Sequence, residues 1–322
     1  MADSATNFRE LYSTNLVPKL KELDKTRKSI LDLIKKHILI SLVPLGIFGY
    51  VSILFENPIP IGITVVACVG YAFYKINPLW SSYYSAFKQQ VIKQIIHFID
   101  DTLKYSPTDC ISQGRFKECG IFRTHIDRYE GDDLVTGKRG STDMKFSEVH
   151  AEYKTHTTDS KGRRQTHWHT IFKGLLFSAD FNKHFNVSTY VLTDTAEKLF
   201  GSFGTKFQKF SGHGDLVKLE DPEFEKSFVV YSSNQTEARY ILSTSLMRRI
   251  LDYKIKAKKN IQLSFVSSRL FVAVPYGKDL FEPKLFGEIT DFDSVEEYYN
   301  DLKLVLELIE DLNLNTRIWT KE

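Results

Sequence analysis

Two stretches near the N-terminus carry no charged side chain. Ile38–Phe55 reads ILISLVPLGIFGYVSILF, and Ile59–Tyr74 reads IPIGITVVACVGYAFY. A helix crosses a hydrocarbon core in about 20 residues, with about 17 as the lower end. The first run has that length, and the second gains it when Pro58 or Ile76 contributes an end. Glu56-Asn57-Pro58 and Pro60 lie between them, a polar, proline-rich break that stops one helix and starts the next. Pro44, inside the first run, is of a kind that helices in lipid tolerate. The pattern predicts a transmembrane helical hairpin over 37–77. A hairpin buried in a soluble core is the alternative, although core helices seldom run so far without a charge. A cleaved signal peptide does not fit, because the run starts late and no small-x-small site follows it.

Amphipathic stripes flank the hairpin. Leu16, Leu20, Leu23, Ile30 and Ile34 alternate at three- and four-residue spacings, with Arg27 interrupting the seam. This is a short heptad pattern, and residues 1–36 are expected to form a helix ahead of the first span. Ile92, Ile95, Ile96, Ile99 and Leu103 make a comparable stripe in a second helical region over 78–105. The two stripes either pair with each other, prolonging the hairpin as a coiled coil, or pack on the domain that follows.

From about Pro107 the pattern changes to strand-like runs punctuated by Gly and Asp. Ile121–Tyr129 and Leu134–Thr136 flank an expected turn at Glu130-Gly131-Asp132-Asp133. Phe146–His156 and His167–Asp180 read as partner strands across the polar turn TDSKGRR. Ile261–Phe265 and Leu270–Pro275 read as a hairpin turning at Val266-Ser267-Ser268-Arg269. Helix starts are signalled at Asp194-Thr195-Ala196-Glu197, at Ser243 or Ser245 before SLMRRILDYKIK, and at Ser294-Val295-Glu296-Glu297. Strands and helices come in runs rather than in strict alternation. The expected fold class is therefore α+β, a mainly antiparallel sheet with three or more helices over 106–322, preceded by the two-helix transmembrane hairpin and its flanking cytoplasmic helices.

Charge refines this picture. Lys25, Arg27, Lys28, Lys35 and Lys36 precede the first span, and Lys75, Lys88 and Lys93 follow the second, while the connecting turn has no Lys or Arg. The positive-inside rule then puts both ends in the cytoplasm, with Trp80, Tyr83 and Tyr84 at the level of an aromatic belt. Net charge is only +3, and aromatics make up 13% of the 322 residues. The first value gives no footprint for nucleic acid, and the second supplies enough bulk for a real core. Cys68, Cys110 and Cys119 have no CxxC spacing and read as free thiols in a reducing compartment.

The C-terminal part resembles a known family. YEGDDLVTGKRG (Tyr129–Gly140), FSEVHAEYKT (Phe146–Thr155), HTIFKGLLFSADFNKHF (His169–Phe185), LVKLEDPEFEKSFVVYSSNQTEARYILS (Leu216–Ser243) and DLNLNTRIWTK (Asp311–Lys321) resemble the bacterial family of unknown function DUF3137. The resemblance covers nearly everything after about Tyr105. It implies a bacterial membrane protein with paired apolar segments upstream, and hence the cytoplasmic (inner) membrane. It implies no reaction, ligand or catalytic residue.

Chemistry-bearing constellations are few. His167 and His169 are two apart on one strand and share a face, and His156 lies roughly opposite His167 if Gly162 is near the tip of the turn. Three converging imidazoles would suit zinc, although no fourth ligand is obvious, and an exposed polar hairpin is the plainer reading. Asp180 and His184 would share a helix face as an acid–base pair but fit a turn or cap ending a strand as well, and Glu130, Asp132 and Asp133 could bind calcium or simply bend the chain. Arg248, Arg249, Lys254, Lys256, Lys258 and Lys259 load one helix and its exit with positive charge, suited to anionic headgroups or simply to water. No P-loop, GxSxG elbow or HExxH is present. The sequence thus leads to a non-enzymatic, membrane-anchored cytoplasmic module that binds a protein or lipid partner, with no cofactor and no nucleic acid. The rival is a membrane-tethered metal-dependent enzyme using the His156/His167/His169 hairpin.

Overall fold

The structure is a computed structural model, and it describes residues 2–140, 142–181, 184–193, 213–312 and 314. The chain divides into two compact units, Met1–Ile95 with Phe281–Tyr299, and Ile96–Leu280 with Asn300–Glu322.

In the first unit, α1 (Ala2–Leu11) continues through one π-helical turn at Tyr12–Leu16 into α2 (Val17–Leu54). After a four-residue break, α3 (Ile59–Phe87) passes through a second π-helical turn at Lys88–Ile92 into α4 (Lys93–Ile99). The break is built by the residues that signalled it. Glu56 takes a left-handed φ of 49°, and the Asn57 side chain accepts the Ile59 N–H at 3.0 Å, an Asx-type start for the next helix. The two long helices run antiparallel. His37 meets Tyr71 edge-on at 5.3 Å, and the Ser52 hydroxyl accepts the Ile61 N–H at 3.1 Å. Both helices are long and apolar enough to cross a membrane.

Their surface distinguishes them from core helices. Ile38, Val43, Ile47, Phe48, Ile53, Ile63, Val66, Val69 and Phe73 are all exposed. Outside Ile38–Tyr74, the large apolar side chains exposed among the described residues are only Trp168, Leu216, Tyr240, Ile255 and Phe286.

Beyond the apolar segments the picture inverts. Leu16, Leu20, Leu23 and Ile30 are buried on one arm, and Tyr83, Phe87, Val91, Ile92 and Ile95 on the other. The arms lie close: burial pushes the Tyr83 hydroxyl up to about 12, with the Arg27 charge opposing that rise and Asp24 adding to it. Both arms are tied to the distant segment Phe281–Tyr299. Tyr83 donates to the Lys284 carbonyl at 3.0 Å, and Arg27 to the Leu285 carbonyl at 3.0 Å. Phe8 stacks on Tyr299 at 4.1 Å, and Phe87 meets Tyr298 edge-on at 5.6 Å. Arg27, which interrupts the apolar seam, is itself buried there and paired with Asp24 at 2.7 Å. Lys88, fully buried in the second π-helical turn, lies 3.2 Å from Glu282 and 4.5 Å from the Tyr84 ring centre.

The second unit is built on a nine-stranded, wholly antiparallel sheet. Its strands are β1 (Lys104–Ser106), β2 (Arg128–Arg139), β3 (Thr142–Thr158), β4 (Arg164–Asp180), β5 (Thr189–Thr193), β6 (Asp215–Val217), β7 (Phe228–Ser232), β8 (Gln262–Val266) and β9 (Arg269–Pro275). They are ordered β1-β2-β3-β4-β9-β8-β5-β7-β6. The further helices among the described residues are α5 (Gln113–Glu118), α6 (Pro222–Ser227), α7 (Gln235–Ile241), α8 (Thr244–Ala257), α9 (Phe292–Leu306), which begins in the first unit, and α10 (Leu308–Asp311). The expected α+β class is what the structure has. On one face of the sheet Val149, Phe172, Leu176, Leu192, Phe271 and Ala273 form a core with Phe116, Ile121 and Phe122. Residues of the opposite alternation, among them Phe146, Phe177, Val272 and Leu263, are buried as well. Burial on both faces explains the nearly continuous apolar strands.

Three local expectations change. The acidic stretch at Glu130–Asp133 does not separate two strands. It is a bulge inside β2, where the register with β3 shifts between Asp132 and Val135 and Asp133 takes a φ of 57°. Gly131 is required there, since a Cβ would come within 2.3 Å of the Glu148 carbonyl oxygen. The last long helix begins at Phe292 and not at the Ser294 box, because Asp291 caps it by accepting the Ser294 N–H at 3.0 Å. Ile121–Ile126 is irregular and packs into the core rather than forming a strand. The expected β8–β9 hairpin is present, closed by Ser267 and Ser268 with φ of 52° and 56°, as a two-residue primed turn requires. Ser243 caps α8 through the Leu246 N–H. The helix start at Asp194–Glu197 lies outside the described residues.

Candidate functional site

The strands β3 and β4 are longer than their neighbours. β2 pairs with β3 up to Glu152, and β9 pairs with β4 from Gly174 to Asp180. A register shift after Ala151 separates the covered part of the β3–β4 pair from its far end. Beyond it the two strands continue alone as a ribbon. From Lys154 to Thr170 every residue is exposed except Asp159, which is half-buried.

The ribbon's register decides what its histidines do. His156 pairs with Thr166, Thr155 with His167, and Tyr153 with His169. Residues directly opposite share a face, so His167 and His169 point to one side and His156 to the other. The expected pairing of His156 with His167 is off by one residue, and a one-residue slip reverses the face. The cause is the turn. Thr158 pairs with Arg164, and the Asp159 carboxylate accepts the N–H groups of Lys161 at 2.9 Å and Arg163 at 2.8 Å, closing a five-residue loop. Each imidazole is engaged across the ribbon instead. His169 Nε2 lies 2.8 Å from Thr155 Oγ1, His167 Nε2 2.9 Å from Thr157 Oγ1, and His156 Nδ1 3.0 Å from Thr166 Oγ1. The three histidines therefore do not converge, and the ribbon as placed offers no three-imidazole zinc site.

The other face carries Trp168. The Arg128 guanidinium lies 3.9 Å over its ring centre, and Arg128 also pairs with Glu152 at 3.0 Å. Tyr153 stacks on His169 at 4.8 Å on the opposite side.

The basic helix behaves differently from the ribbon. Arg248 pairs with Glu223 and lies 3.8 Å from Asp221. Arg249 donates to the Asp311 carbonyl at 3.2 Å, and Lys254 to the Ser227 carbonyl at 3.3 Å. Burial lowers the Lys254 ammonium. Lys256 bridges Glu307 at 3.0 Å and Asp311 at 2.7 Å; burial opposes its charge, but those hydrogen bonds prevail and raise it. Lys259 lies over the Tyr276 ring, and Lys258 is the left-handed cap of α8, with φ 51°. Of these cations only Arg248 and Lys256 meet a carboxylate among the described residues.

Asp180 ends β4 and His184 lies in irregular chain after it, so the two do not share a helix face. Glu130 lies 3.7 Å from Arg128, and Asp133 accepts the Tyr105 hydroxyl. A residue not singled out from the sequence is His213. It is 4% exposed, lies edge-on to Tyr190 at 4.4 Å and donates from Nε2 to the Gly120 carbonyl at 2.8 Å. Burial, then the Arg123 charge, lower its pKa. Only the glycines around it in SGHG marked it in the sequence.

Residues 170–314 match the family described as "Protein of unknown function (DUF3137)". No curated protein matches the chain. Among solved structures, the mycobacterial trehalose monomycolate transport factor A aligns with a TM-score of 0.34 and 10% identity, over 67% of this chain and 95% of that one. Nothing is inferred from a likeness at that level.

Proposed function

We propose that the chain, whose residues 170–314 match the DUF3137 family model, is a membrane-anchored module of the bacterial inner membrane. In this reading α2 and α3 cross the bilayer as a hairpin, both termini lie in the cytoplasm, and the remainder binds a protein or lipid partner there without catalysing a reaction. The observation that carries the reading is the bare apolar surface from Ile38 to Tyr74, against only Trp168, Leu216, Tyr240, Ile255 and Phe286 exposed among the other described large apolar residues. In water such a surface is a liability, and in a hydrocarbon core it is the required one. Lys and Arg on both flanks, with none in the Glu56–Pro58 break, support the orientation. The ribbon histidines His156, His167 and His169 pair with threonines across the strands and do not converge, which supports binding over a histidine-held metal.

Alkaline carbonate extraction with reporter fusions tests this. The protein stays in the membrane pellet, and reporters at the N-terminus and after Glu322 both read cytoplasmic. Release into the carbonate supernatant would remove the anchor, and a C-terminal reporter facing outward would reverse the orientation.

A further inference from the structure

The β3–β4 ribbon is a second uncovered surface, and its chemistry is opposite to that of the helical hairpin. It spans Lys154–Thr170 and contains Lys154, Lys161, Arg163 and Arg164 against one carboxylate, Asp159. That carboxylate is turned inward. It accepts two loop N–H groups and the Arg163 guanidinium at 2.9 Å, and the Arg163 N–H bond foremost holds it below the usual carboxylate range. The tip therefore presents Lys161 and Arg164 without a carboxylate partner among the described residues, beside Arg163, which Asp159 pairs. On one face of the ribbon Trp168 is 40% exposed, an amphipathic ring of the kind that settles at a membrane–water interface.

The ribbon does not contribute to its own unit's core. The ribbon is held by its own ladder and cross-strand pairs, so both of its faces are left to meet a partner. A second copy of the same ribbon is a poor occupant, because like charges would face one another. An anionic occupant answers the charge. A chain anchored as proposed above keeps its second unit tethered to a membrane, so lipid phosphates are the anionic groups at the highest effective concentration, and each Lys or Arg that reaches them adds about 1 kcal/mol to binding.

We propose that the β3–β4 ribbon is a docking arm for the phosphate headgroups of anionic lipids, with Lys161, Arg163 and Arg164 at its tip making the contact. The inference rests on the membrane-anchored reading.

The test uses the full chain in nanodiscs with an environment-sensitive fluorophore at Ser160→Cys, the native Cys68 and Cys110 replaced by Ala. Discs of pure phosphatidylcholine are compared with discs containing phosphatidylglycerol. In the anionic discs the label shifts to shorter wavelength and is quenched by headgroup-region spin-labelled lipid. In neutral discs it does neither. Added salt reverses the shift, because screening shortens the reach of the charges. The triple variant K161E/R163E/R164E abolishes it, equivalent to a drop in lipid engagement on the order of a hundred-fold. The spectrum of buried Phe177 neighbours by near-ultraviolet circular dichroism stays unchanged in that variant, since all three positions are exposed. An identical signal in neutral and anionic discs overturns the proposal, as does a triple variant that still responds. Failure of the wild-type chain to enter either disc would instead contradict the anchor.

Discussion

Two hairpins in this chain leave both of their faces uncovered. The helical hairpin exposes Ile, Val, Leu and Phe from Ile38 to Tyr74, and the β-ribbon exposes Lys, Arg, His and Thr from Lys154 to Thr170. For each large aliphatic or aromatic side chain, burial away from water is worth about 1.5–3 kcal/mol. The helical hairpin thus needs a medium other than water to be stable where it is. The ribbon needs none, since its side chains are solvated and its cross-strand pairs, such as Thr157 with His167, close on themselves. An exposed apolar surface therefore indicates the solvent a segment lives in. An exposed polar one indicates only what can reach it.

The comparison breaks most visibly at the centres of the spans. Arginine at Ile47 and Val66, both lipid-facing in this account, costs about 2.5–3.5 kcal/mol per site at mid-bilayer. The double variant is expected to leave the membrane fraction or be degraded, as read by fractionation and immunoblot. Arginine at Thr157 and Thr166 of the ribbon should leave fractionation unchanged.

Packing outside the apolar segments gives the next effect. Leu20 and Phe87 are buried in the first unit, and Phe177 in the sheet. Leu20→Ala should cost about 2–5 kcal/mol, and Phe87→Ala or Phe177→Ala about 3–5. Thermal unfolding in detergent measures this. The residues Phe281–Tyr299 belong to the same unit as Leu20 and Phe87, so removing Met1–Ile95 should strand that segment and lower the solubility of what remains.

Acid provides a gentler probe. The folded-state pKa of His213 lies below its unfolded value because burial disfavours the charged ring. The unfolded chain then binds more protons, so stability is full above about pH 6.5 and declines as pH falls toward the folded value. His213→Gln should flatten that part of the stability–pH curve. An unaltered curve would assign the acid sensitivity elsewhere.

The smallest effect is expected from the ribbon itself. Replacing Thr155–His167 by a two-residue Asn-Gly turn removes exposed residues and the half-buried Asp159, which bonds only within its own loop, and should change unfolding free energy by within about 0.5 kcal/mol. A larger loss would mean that the ribbon supports the sheet.

The sequence patterns made some of this legible and left the rest hidden. Uncharged runs and proline breaks mark the long helices because length and charge are local properties. Leu16, Leu20, Leu23 and Ile30 mark a buried stripe for the same reason, but nothing local says that Phe281–Tyr299 covers it, since that pairing joins residues some two hundred positions apart. The β3–β4 and β8–β9 pairs were legible from their turns. The placement of β9 and β8 between β4 and β5 was not, because short, fully buried strands such as Thr189–Thr193 and Phe228–Ser232 carry no alternation. In the candidate site, the identity of the exposed ribbon followed from its polar residues, but its register turned on how Asp159 closes the loop. One residue of slip there moves His156 to the wrong face.

Spin-label accessibility shows whether lipid covers Ile38–Tyr74. Labels are placed singly at Ile47 and Val66 in the helical hairpin and at Thr157 in the ribbon, with the protein in bilayers. The account predicts strong relaxation by apolar oxygen and little by a water-soluble nickel chelate at Ile47 and Val66, with the reverse at Thr157. Protection from both agents at Ile47 and Val66 would mean that protein covers those positions, and access by the nickel chelate would mean that water does. Either result would contradict the membrane hairpin.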